Sequence, residues 1–127
     1  MGTGTELGRV RGLGSSHEGT HHWWRQRLTA GSNLFLMAWL MFSLARMPAF
    51  GFAPIHDWVH SAWVAVPMGL LIASVVYHLR LGLQVVIEDY AHAESRVVLT
   101  VLLNAYTALV AGIAIFAILR IAFGSAA

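Results

Sequence analysis

Apolar and polar positions along the chain fall into blocks. Residues 1–27 hold no apolar run and are glycine-rich, polar and charged. Residues 28–45 form a first apolar run, bounded by Arg27 and Arg46. Residues 59–87 form a second, which holds Pro67, His78 and Arg80, and residues 97–119 form a third with no charge inside it. At about 1.5 Å per residue the first run extends about 27 Å, enough for a hydrocarbon core of about 30 Å when its ends snorkel. The other two runs are long enough to span as well. The first starts too late for an ordinary signal peptide and is too long for the apolar region of one.

The pattern predicts an all-α integral membrane protein with three transmembrane helices, at about 28–46, 59–88 and 97–120. These spans make up an anchor domain over 28–123. A polar tail (1–27) precedes it and a short C-terminal tail (124–127) follows.

Composition supports the same class. Of 127 residues, 57% are hydrophobic and 11% charged, less than half the charge of an ordinary globular domain. Mean hydropathy is +0.66. All 8 basic residues are Arg. The formal net charge is only +2, and no segment is basic enough for a nucleic-acid footprint. There is no Cys, which excludes disulfides, thiolate metal sites and Fe–S ligation by this chain. A redox cofactor held here needs His, Met or Tyr ligands.

Arginine placement sets an expected orientation. Arg9, Arg11, Arg25 and Arg27 precede the first span, whereas only Arg46 lies between the first and second. The positive-inside rule then puts the N-terminus in the cytoplasm and the C-terminus on the periplasmic side. Trp23 and Trp24 fall at the inner interface, and Trp58 and Trp63 at the outer one. Gly69 with Ala73, and Ala108 with Gly112, have the spacing of small residues that lets membrane helices approach closely. Small residues are also common in any membrane helix.

The second span carries the chemistry. His78 lies deep in it, well before its first acidic residue, Glu88. Ionisable groups inside a bilayer are costly and mark function by default. Two readings stand for His78: a cofactor or proton role, and a hydrogen bond to a neighbouring helix. At 100° per residue Gly82 falls about 40° from His78, and Val85 and Asp89 about 20° away. Glycine one turn from a histidine leaves room for a flat group such as a haem edge, and the imidazole offers iron a neutral nitrogen. One His supplies half of a six-coordinate haem. No second His lies deep in another span, so the other ligand has to come from a partner chain.

Arg80 points roughly opposite to His78. It bridges to an acidic or carbonyl group of a neighbouring helix or snorkels, a structural role in either case. At the inner end of the span, Asp89 and Tyr90 can hydrogen-bond a quinone carbonyl and relay protons. The plainer reading is an interfacial Tyr beside solvated acids. His56 and His60 are four apart, as two ligands on one helix face would be, but nothing nearby completes a metal site. His21-His22 is a similar weak case.

Residues 77–90 read Tyr, His, Leu, Arg, Leu, Gly, Leu, Gln, Val, Val, Ile, Glu, Asp, Tyr. This run resembles the signature of the small hydrophobic membrane anchor of succinate dehydrogenase, respiratory complex II. The pattern is His, Gly four later, Asp eleven later, then Tyr. Residues 23–30 (Trp, Trp, Arg, Gln, Arg, Leu, Thr, Ala) resemble the segment that opens the first helix of alphaproteobacterial members. The larger anchor of the same complex, of the cytochrome b556 type, has a similar spacing but an Arg-His pair after the glycine, where this chain has Leu83-Gln84.

The resemblance implies an inner-membrane component of succinate:ubiquinone oxidoreductase, serving the tricarboxylic acid cycle and respiratory chain. Such a component is not catalytic alone. Its partners are a second anchor of the cytochrome b556 type, an Fe–S subunit and a flavoprotein. The two anchors complete one helical bundle in the lipid bilayer and share one haem b. Carried over, His78 is an axial ligand of the haem iron and Gly82 packs on the haem. Tyr90 binds ubiquinone, with Asp89 as proton relay, and Arg27 meets a haem propionate or the quinone pocket. A cytochrome b556-type anchor or a fumarate reductase anchor is the near alternative. A small structural or assembly membrane protein without cofactor is the alternative of another class.

Overall fold

A computed structural model describes residues 5–7 and 19–124. Most of the expected N-terminal tail and residues 125–127 of the C-terminal tail lie outside the described residues. Four helices follow one another: α1 (Gly19–Ala45), α2 (Phe52–His60), α3 (Ala62–Tyr90) and α4 (Ala93–Phe123). No strand occurs among the described residues. α1, α3 and α4 are 27, 29 and 31 residues long and apolar enough to cross a membrane. At about 1.5 Å per residue each exceeds a bilayer core of about 30 Å and reaches into both headgroup layers. The chain is thus an all-α, multi-pass membrane protein.

The helix ends depart most from the apolar runs in two places. α1 starts at Gly19, well before the apolar run, so Trp23, Trp24, Arg25 and Arg27 ride on its first turns. Backbone hydrogen bonding propagates through interfacial polar residues as readily as through apolar ones, which hydropathy alone does not register. The second departure is a break at the start of the second run. Ser61 is extended (φ −68°, ψ 127°). Its N–H bonds the Trp58 carbonyl (3.3 Å), closing α2, and its own carbonyl accepts from Val64 (2.9 Å) and Ala65 (2.8 Å), opening α3. Five residues into α3, Pro67 removes one further backbone donor.

α3 is the middle of the molecule. It packs on α1 along one side and on α4 along the other, while the backbones of α1 and α4 stay apart among the described residues. α2 lies across one end of the bundle, against α4 and the start of α3, and Trp58 Nε1 donates to Ser43 Oγ of α1 at 3.1 Å. The shared core is thin: Val59, Val64, Ala65, Leu71, Leu81, Leu103 and Thr107. Gly69 and Gly112, expected to permit close helix approach, do not mediate it. A β-carbon at either would meet nothing within 4 Å. Leu81 on α3 and Leu103 and Thr107 on α4 are buried.

At the turn between α3 and α4, Ala91 N–H bonds the Ile87 carbonyl at 2.9 Å. Ala93 then opens α4 with φ +50°, in the left-handed region that costs a β-carbon about 1–2 kcal/mol. Arg96 of α4 approaches Glu88 of α3 at 3.9 Å.

Candidate cofactor site

The α1–α3 contact is a polar seam inside an apolar setting. On α1, His22, Gln26, Thr29 and Asn33 recur at spacings of four, three and four, which stacks them on one helix face. On α3, Ser74, His78 and Gly82 recur at four. Two contacts fix the register. Thr29 Oγ1 lies 2.9 Å from His78 Nδ1. A β-carbon on Gly82 would come 3.7 Å from Gln26 Nε2. The helices therefore run antiparallel, and the same register brings Asn33 to the level of Ser74.

Among the described residues four buried polar atoms have no partner: His22 Nε2, Gln26 Oε1, Asn33 Oδ1 and Ser74 Oγ. All four lie on these two stripes.

His78 is half-buried. Its Nδ1 faces Thr29, while Nε2 makes no hydrogen bond and is not one of the buried unpaired atoms. Nε2 is thus the open end of the ring. Gly82, one turn on, faces the Gln26 amide, so the space beside the glycine holds a side chain of α1.

Arg80 turns to the other side, where its Nε donates to Asn104 Oδ1 of α4 at 2.6 Å. This is the carbonyl bridge to a neighbouring helix expected of it, and it joins α3 to α4 as Thr29 joins α3 to α1.

The C-terminal end of α3 separates its two acids. Glu88 accepts from Gln84 Nε2 at 2.9 Å and faces Arg96. Asp89 and Tyr90 are exposed, with no hydrogen bond or ion pair among the described residues, and Tyr90 is 81% exposed. Eleven residues of helix put Asp89 about 16 Å along the axis from His78.

Arg27 is not brought to His78. Two residues from Thr29, it projects from another face of α1, with its guanidinium 5.0 Å from the centre of the Trp23 ring. The His56 and His60 rings stack at 6.4 Å, and His56 Nδ1 lies 3.6 Å from Asp57. An open groove of about 700 Å³ between α2 and α4 includes His56, Asp57, Phe116 and Arg120. It lies at the opposite end of the bundle from Tyr90 and takes in neither His78 nor Asp89. Among the described residues no three His, Cys, Asp or Glu side chains cluster as a self-contained metal site.

Thr29 and Gln26 are the site residues that reading the second span in isolation misses. Their signal is the polar stripe at 22, 26, 29 and 33. It is hidden when the first span is taken to begin at residue 28.

Comparison with known proteins bears on the whole arrangement. The family described as succinate dehydrogenase/fumarate reductase transmembrane subunit matches residues 1–119. The succinate dehydrogenase hydrophobic membrane anchor subunit of Rickettsia bellii is 34% identical over 87 residues, which cover 67% of this chain and 68% of the relative. The protein of the same name from Rickettsia conorii is 29% identical over 86 residues, with the same coverage of each chain. No solved structure matches the chain. With nearly its full length matched and its three spans in place, this chain belongs to the succinate dehydrogenase/fumarate reductase transmembrane subunit family.

Proposed function

We propose that this chain is a hydrophobic membrane anchor of succinate:ubiquinone oxidoreductase. It tethers a flavoprotein and an Fe–S subunit to the inner membrane and forms, with a second anchor, a site for haem b and ubiquinone. It contributes to electron transfer without being catalytic alone. One observation supports the cofactor reading above others. His78 is held at one ring nitrogen by α1 and leaves the other open, in a span where a histidine is otherwise costly. A single open imidazole nitrogen fits an axial haem ligand whose counterpart belongs to the partner anchor. When bound, the haem supplies a one-electron store close to the quinone.

The other residues take roles set by position. Tyr90, exposed at the end of α3, donates its phenolic hydrogen bond to a quinone carbonyl. Asp89 beside it holds and passes on a proton from the water layer. Gly82 keeps α3 thin one turn from His78, and a larger side chain there presses on Gln26. Arg27 serves a propionate or the quinone pocket by leaving the Trp23 ring. The N-terminus lies in the cytoplasm, where the Fe–S subunit docks near Tyr90.

A second reading has a specific observation in its favour. The Thr29–His78 bond is what a purely structural histidine would make, and in that case the open Nε2 has no ligand. The reduced-minus-oxidised optical spectrum of the intact complex separates the two. A b-type band that is lost or shifted in His78→Ala is expected. An unchanged band removes His78 as ligand.

A further inference from the structure

The hydrogen-bond count at Thr29 determines more than a contact. Thr29 Oγ1 lies 2.8 Å from the Arg25 carbonyl oxygen and 3.1 Å from that of Gln26. It also lies 2.9 Å from His78 Nδ1. A hydroxyl has one hydrogen and two lone pairs. Carbonyl oxygens can only accept, so the arrangement that keeps both backbone contacts spends the single hydrogen there, shared between the two carbonyls. The atom that then faces His78 is an oxygen with free lone pairs. Nδ1 must carry the hydrogen and donate it. In a neutral imidazole Nε2 is then bare.

The opposite arrangement, with the hydroxyl donating to Nδ1, abandons both carbonyls and puts the ring hydrogen on Nε2. That form offers no lone pair on its open side.

From this we infer that Thr29 is the positioning residue of the site. It accepts Nδ1–H of His78, selects the tautomer whose Nε2 lone pair points out of the α1–α3 seam, and holds the ring at that angle. The inference rests on the reading of His78 as haem ligand. Thr29 suits the task because its hydroxyl is already anchored to its own helix, so it presents a fixed acceptor. A hydrogen bond at the far nitrogen also makes the ligating one a stronger electron donor, as outer partners of ligating histidines do. A stronger donor favours the oxidised iron, so the Thr29 bond lowers the potential of the haem.

The test uses the whole complex purified from membranes. Thr29→Val keeps the branched shape and removes the acceptor. Thr29→Ala removes it without any risk of crowding. Thr29→Ser keeps the hydroxyl. Haem content per flavin and the haem midpoint in a redox titration are measured for each, beside His78→Ala. In Thr29→Val and Thr29→Ala haem affinity should fall about 10- to 100-fold and the midpoint of the remaining haem should rise, while Thr29→Ser tracks the parent in both. Wild-type haem content and midpoint in Thr29→Ala would overturn the positioning role, as would an equal shift in Thr29→Ser. If His78→Ala itself keeps the parent spectrum, the ligand reading fails first. If His78→Ala loses the haem and Thr29→Ala titrates as the parent, only the role of Thr29 fails.

Discussion

Glu88, Asp89 and Tyr90 are consecutive, yet only Glu88 is tied down within the chain, by Gln84 and Arg96. Its two neighbours keep their polar atoms for something else. For Tyr90 the expected test is a split between assays. Tyr90→Phe should lower quinone reduction by about tenfold, the worth of one hydrogen bond of about 1.4 kcal/mol, while succinate oxidation by an artificial dye stays near the parent rate. Equal loss in both assays would move the defect away from quinone.

His78, Gly82, Asp89 and Tyr90 were legible together, since they belong to a single motif on one helix. Thr29 was not legible in that way. Which residue meets His78 depends on the register between two helices, and periodicity within one helix carries no register. Arg27 shows the converse. A basic residue at a plausible sequence position is, in space, on a different face of α1, stacked over Trp23.

Among the elements, the long spans were legible because they are long apolar runs, and their ends were not. Hydropathy starts the second span at residue 59, inside α2, and leaves the rest of that short helix outside any span, because the break between α2 and α3 lies in the extended backbone of Ser61. The turn between α3 and α4 is similarly opaque. Nothing in the residues around Ala93 announces a left-handed backbone, since glycine is the usual occupant of that conformation. Ala93 stands there with φ +50°. Ala93→Gly should therefore stabilise the turn by about 0.5–1 kcal/mol, the left-handed penalty less the added entropy of glycine. The β-branched Ala93→Val should destabilise it. Thermal unfolding of the purified complex reads both signs, and the reverse order would remove the strain.

The whole molecule is a row: α1, then α3, then α4, with the backbones of the outer two apart among the described residues. No residue of α1 is buried, and α3 and α4 bury only Val64, Ala65, Leu71, Leu81, Leu103 and Thr107. Phe35 (76% exposed), Leu34, Phe42 and Phe116 all face outward. Lipid tails satisfy such surface, but a row of three offers little packing of its own. The chain expressed without its partners should accumulate to a small fraction of its level in the complex. Extraction in mild detergent should bring it out with a second apolar chain and two soluble subunits. Immunoblots of membranes and the polypeptide pattern of the extract check this. Stable accumulation of the lone chain would contradict a shared bundle.

The row also has a temporal consequence. Thr29, His78, Asp89 and Tyr90 all lie on α1 and α3, and the seam between those helices owes nothing to α4. During synthesis, the first two spans can enter the bilayer as a hairpin and close on Thr29 and His78 while α4 is still being made. The last helix then joins through Arg80 and Asn104, onto a seam that has already formed.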